Sequence, residues 1–175
     1  LRYRLRVPSN VKLRIHTRSA QVAVRGYGGD LEVQSESGEI HARPAGGTCR
    51  LTTTSGPIRL GGIYAQAAVT TKTGNIEVRL APRDQVIELT ANSESGPVSI
   101  DMAADCRMRL EFTTEEGGLD TDFPVVLHRS GPAVAELQRF VGSVGESDNP
   151  ERAVASVHCG RAQLEVRRLP RVPAD

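Results

Sequence analysis

The chain has 175 residues, with 22 Lys and Arg against 21 Asp and Glu; a formal charge of +1 is too balanced for a protein that holds nucleic acid or an anionic membrane by bulk charge. Aromatic residues make up only 3% and Trp is absent, so a core must be built from Val, Ile, Leu and Ala. No run approaches the roughly 18 consecutive apolar residues of a membrane helix, and the length suits one domain, 1–175, able to bury a core.

After an N-terminal strand in "YRLRVPSNVKLRI", the chain repeats itself. Gly38, Gly56 and Gly74 follow one another at steps of 18 residues, then Gly96 comes after 22 and Gly117 after 21. Ala20 and Ala162 carry the same flanking pattern, which gives seven rungs: LRIHTRSAQVAV, LEVQSESGEIHA, CRLTTTSGPIRL, AAVTTKTGNIEV, LTANSESGPVSI, LEFTTEEGGLDT and ASVHCGRAQLEV. Self-similarity at a fixed period near 20 residues marks a repeat architecture.

Within a rung, apolar residues alternate on both sides of the central Gly, as in Leu31/Val33 before Gly38 and Ile40/Ala42 after it. Period two about a Gly reads as strand, tight turn, strand, with one face of each strand inward. The glycines are expected to supply positive φ to the S-G and T-G turns. Three residues before the Gly stand Thr17, Ser35, Thr53, Thr71, Ser93, Thr114 and Cys159. Such a column has no reason to persist in an antiparallel meander, whereas parallel stacking places like on like about 4.8 Å apart. The expected fold is therefore all-β: a parallel β-solenoid or β-roll of about seven two-strand rungs of 18–22 residues. Stacking in chain order would set Val33 beside Leu51 and Leu51 beside Val69, with the Ala20 and Ala162 rungs at the two ends.

The outward columns read Arg14, Glu32, Arg50, Ala68, Thr90, Glu111, Ser156 before the turn and Ala23, His41, Arg59, Glu77, Ser99, Asp120, Glu165 after it. Alternating signs predict cross-strand ion pairs and leave no stripe for a polyanion. Residues 123–154 break the pattern. Val134, Leu137 and Val141 recur at helical spacing with Phe140 beside them, so a short irregular or helical insertion near 132–142 is expected to cap the open end. The other use for Leu137, Arg139, Phe140 and Val141 is as an interface for a protein partner.

Catalytic signatures are missing. No phosphate-binding Gly loop is present. Ser37, Ser55 and Ser95 precede turn glycines, yet no His recurs with them. His16, His41, His128 and His158 are scattered, with His16 and His158 in one column at opposite ends of the expected array. Cys49, Cys106 and Cys159 form neither a disulfide framework nor a zinc motif. Asp101 and Asp122, five residues after their glycines in adjacent rungs, are the secondary candidates for a metal or acid/base pair; the Arg25, Arg43, Arg79 and Arg167 of the same column favour an ordinary charged edge. No catalytic residue, cofactor or metal is assigned.

The repeated T-x-S-G-x-I-x-V rungs, the leading strand and the closing "VGSVGESDNPERAVASVHCGRAQLEV" resemble the DUF4097 family, labelled for adhesion, over about Tyr3 to Leu169. The resemblance implies a β-solenoid-like domain of bacterial exported or membrane-attached proteins with no established enzymatic activity. The segment 123–154 departs from the family pattern. Together these readings give a non-enzymatic extracytoplasmic scaffold or interaction module, of periplasm or cell surface, that docks on a membrane-associated protein assembly. The alternatives are a carbohydrate-active or Ca-dependent glycan-binding β-helix, a self-assembling structural protein, and an organellar or cytoplasmic location.

Overall fold

A computed structural model describes residues 4–62, 65–80, 87–103, 108–123, 128–129, 138–144 and 153–169. Each rung of the sequence is one pair of strands. The first is β1 (Leu13–Thr17) and β2 (Val22–Arg25), the second β3 (Leu31–Ser35) and β4 (Ile40–Arg43). The third is β5 (Thr48–Thr53) and β6 (Ile58–Leu60), the fourth β7 (Gln66–Thr71) and β8 (Ile76–Leu80), the fifth β9 (Ile87–Ser93) and β10 (Val98–Met102). The sixth is β11 (Met108–Thr114) and β12 (Leu119–Thr121). After β13 (His128–Arg129) and β14 (Gln138–Val144), the seventh is β15 (Ala153–Cys159) and β16 (Leu164–Arg168).

First strands stack in parallel in one sheet and second strands in another, as a solenoid requires. Val33 pairs with Leu51 and Leu51 with Val69, in the expected register. The nine-stranded sheet runs β1-β3-β5-β7-β9-β15-β11-β14-β13 and the seven-stranded sheet β12-β16-β10-β8-β6-β4-β2. The last rung in the chain thus lies between the fifth and the sixth. That corrects the expectation of chain-order stacking with Ala162 at an end: β15 hydrogen-bonds β9 on one side and β11 on the other. His158 consequently stands inside the array.

Between the sheets lies a single apolar core running from Val22 to Val166, with Val33, Leu51, Val69, Ile40, Ile58 and Ile76 at 0% exposure. Stacking removes each branched side chain from water on both flanks, worth about 1.5–3 kcal/mol per residue. The strand propensity of Val and Ile suits this half-buried pleat.

The turns explain two columns. Each small hydroxyl accepts a hydrogen bond from the backbone N–H three residues on: Gly38 to Ser35 Oγ at 2.9 Å, Gly56 to Thr53 Oγ1 at 3.1 Å, Gly74 to Thr71 Oγ1 at 3.0 Å and Gly96 to Ser93 Oγ at 3.0 Å. From Ser35 onward the column is buried and satisfied, and it caps its own turns. The glycines serve a different purpose from the one expected. Positive φ occurs at Gly26, Gly47 and Gly62 in the opposite turns, and at none of Gly38, Gly56, Gly74, Gly96 and Gly117. A Cβ on any of these five would run into the carbonyl of the equivalent turn residue in the rung beneath, for instance Gly56 O beneath Gly74. Close stacking of turns therefore favours Gly at these five, while Ala162, buried at the same position over Gly96, marks the one inner rung where a Cβ is accommodated. Ala20 is exposed, and among the described residues no rung lies beneath it.

The expected helical cap is also corrected. Residues 138–144, read as helix up to 142, form β14, antiparallel to β11 with Phe140 opposite Phe112. Leu137 and Val134 lie outside the described residues. The open edge of β11 pairs with a strand, which satisfies backbone groups that a helix would leave unpaired.

Candidate interaction surfaces

The outer face of the nine-stranded sheet carries an uncharged row four residues before the turn glycines. In spatial order it reads His16, Gln34, Thr52, Thr70, Asn92, His158 and Thr113, set by in-register pairing such as Thr70 with Asn92 and Asn92 with His158. Beside it, Ala68, Thr90 and Ser156 are register neighbours, so the row is flanked by uncharged residues on these three strands as far as Glu88, which is exposed and accepts the Gln66 amide at 2.8 Å. The middle of the row opens into a notch of about 470 Å³ lined by Thr70, Asn92, His158, Ser95, Glu94 and Glu115. Gly160 occupies the turn position that Glu94 holds in the rung below, where a Cβ would crowd the Glu94 carbonyl, and so leaves the notch open. This row escaped the sequence reading, which followed charges rather than their absence; its signal is the fixed offset from each Gly.

The seven-stranded sheet presents the predicted ladder of ion pairs. Arg59 sits between Glu39 and Glu77, with its Nε 3.0 Å from Glu77, and Arg79 Nε lies 3.1 Å from Asp101. Across the other sheet Arg14 reaches Glu32 at 3.0 Å. His41 stands half-buried on this face; burial, and after it the positive charge of Arg43 and Arg25, holds its pKa below the ordinary histidine value.

Asp101 and Asp122 are not neighbours, which corrects their placement in adjacent rungs. The strand β16 runs between β10 and β12, so Arg167 is the register partner of Asp101. Asp101 is held by Arg79, and Asp122 Oδ2 accepts the Arg168 backbone N–H at 3.1 Å. Among the described residues no group of three or more His, Cys, Asp and Glu gathers where it would hold a metal. Ser37, Ser55 and Ser95 donate their hydroxyls to carbonyls of the preceding rung, at 3.3–3.4 Å, and bind turn to turn. Cys49 and Cys159 are free and buried, and burial pushes both thiols up to about 12. Cys106, Tyr3 and Tyr64 lie outside the described residues. Tyr27, Phe112 and Phe123 are buried, so none of these rings is offered for stacking on a sugar. Of the expected partner residues, Arg139, Phe140 and Val141 lie on β14.

Two facing parallel sheets built of in-register two-strand rungs define a β-solenoid of the toastrack kind. The Toastrack DUF4097 family profile matches residues 9–131, most of the chain, and the chain belongs to that family. The match ends inside the irregular segment, short of the Leu169 reached by the sequence resemblance. No curated protein matches the chain, and no solved structure does.

Proposed function

We propose that this domain is a non-enzymatic interaction module, a scaffold that docks on a larger assembly through the uncharged row on the outer face of its nine-stranded sheet. The observation that carries the reading is the row Gln34, Thr52, Thr70, Asn92, His158, Thr113 on six adjacent strands. At about 4.8 Å per strand it extends roughly 24 Å, the breadth of an ordinary protein interface. Interface centres are depleted in charge while their rims are polar and charged, and here the flanking Arg14, Glu32 and Glu94 form such a rim. The rigid stack fixes these side chains in advance and lowers the entropic cost of association. The family resemblance adds the setting: an exported, membrane-attached assembly outside the cytoplasm, where adhesion is one form that docking takes.

The test is purification from native membranes in mild detergent, comparing the natural chain with a Thr70→Arg/Asn92→Glu variant of unchanged melting temperature. A partner that co-elutes in fixed stoichiometry with the former and is lost with the latter supports the module. Glycan cleavage or Ca-dependent glycan binding by the isolated domain would replace it with the carbohydrate-directed reading. A mass that rises with concentration on size exclusion, with no foreign partner, would replace it with self-assembly.

A further inference from the structure

On the seven-stranded sheet every described arginine but two is matched. Arg59 is held by Glu77 and Glu39, Arg79 by Asp101, and Arg167 by Glu165 at 2.7 Å, while Arg168 lies 5.0 Å over the Phe123 ring. Arg25 and Arg43 are both exposed, and among the described residues neither has an ion pair, side-chain hydrogen bond or ring contact. They are also direct register partners on β2 and β4. Strands lie about 4.8 Å apart and like charges placed directly opposite destabilise a sheet, so the two arginines repel one another with no described carboxylate to offset them.

The surroundings are open. Ala23 is the register partner of His41, and Gly61 takes the next place in the arginine row, with nothing but Arg79 Cβ and Arg79 O, at 3.8 and 4.0 Å, near the point where its own Cβ would stand. His41 flanks Arg43 two residues away on the same face; the charged groups acting on it are Arg43, Arg25, Glu39 and Arg59. We propose that Arg25 and Arg43 form a carboxylate clamp for an acidic segment of a protein partner.

Two guanidinium forks side by side match the bidentate geometry of Asp and Glu side chains, and each is already free of competitors. An anionic lipid surface calls for clusters of about 4–8 basic residues. Here there are two, too few for a lipid surface or a nucleic-acid backbone. The clamp lies on the sheet opposite the uncharged row and depends on neither that row nor its partner.

The experiment is an NMR titration of the intact domain with a poly-aspartate peptide, following the amides of residues 23–25 and 41–43 and the His41 ring. Shifts confined to those positions are expected, with the His41 pKa rising as bound carboxylate offsets the two arginines. Arg25→Gln/Arg43→Gln should bind about tenfold more weakly or worse and melt at the same or a higher temperature, while Arg79→Gln binds as the natural chain does. Shifts spread over the whole surface, an unmoved His41, or undiminished binding by the double variant would overturn the clamp. So would tighter binding to phosphatidylserine vesicles than to the peptide. If the double variant fails to fold, the His41 titration in the natural chain decides alone.

Discussion

The first five rungs and the far end of the stack obey one set of column rules but reach it by different routes. Rungs one to five lie in chain order, each on its predecessor, and begin at a bare edge where Ala20, Leu5 and Val11 are exposed. At the far end the seventh rung is inserted beneath the sixth, and β11 is then closed off by antiparallel β14 and β13. The column rules therefore belong to position in the stack, and chain order is only the commonest way of filling it. A rung needs apolar residues at two offsets, a small polar residue three before its turn, and a turn that lets the next one approach.

The largest expected effect tests whether the far end is as firmly built as the first five rungs. Phe112 is at 0% exposure on β11, between β15 and β14. Phe112→Ala should cost about 3–5 kcal/mol in urea unfolding; a loss under about 1 kcal/mol would mark the inserted region as a loosely held appendage. Next come the turns. Gly74→Ala drives a Cβ into the Gly56 carbonyl and should cost about 3 kcal/mol, whereas Ala20→Gly, with no described rung beneath, should change stability by about 1 kcal/mol or less. Equal effects of the two on melting temperature would refute the close-approach account. The smallest concerns the inserted rung itself. Cys159→Ser restores the residue type of the other rungs at a buried site and should cost under about 1 kcal/mol. With its thiol pushed up to about 12, Cys159 should resist Ellman's reagent at pH 8 until the protein unfolds; fast labelling of the folded chain would place it elsewhere.

The rungs, their columns and the parallel register were legible because period two and a repeat of 18 residues encode a buried face directly. Val33, Leu51 and Val69 lie where the spacing puts them. The order of rungs six and seven was not legible, since equivalent columns fit any neighbour equally well. The signal that remained was length: only the segment between Gly117 and Ala162 is long enough to carry the chain out and back. The helical reading of Val134, Leu137 and Val141 failed at 138–144 because an unpaired strand edge on β11 outweighs a short apolar periodicity. Glycine was read for its conformational freedom, while the backbone of the neighbouring rung sets the requirement, and that neighbour is not in the local sequence. At the surface, the sequence column makes Arg25 and Arg43 part of a charged edge; what separates them from Arg79 is that no described carboxylate pairs with them, which only the stacked register reveals.

Interleaving imposes a timetable on synthesis. As the chain leaves the ribosome, each of the first five rungs finds its predecessor already in place and can add to it at once. The sixth emerges with no earlier strand to join, because the neighbours of β11 are β14 and β15 and both are made after it. At about 5–20 residues per second the wait is a matter of seconds, during which Leu110 and Phe112 of β11 and Leu89 of β9 remain uncovered on one flank. The late rung is thus a keystone: only when it arrives are β11 and its partner β14 joined to the first five rungs.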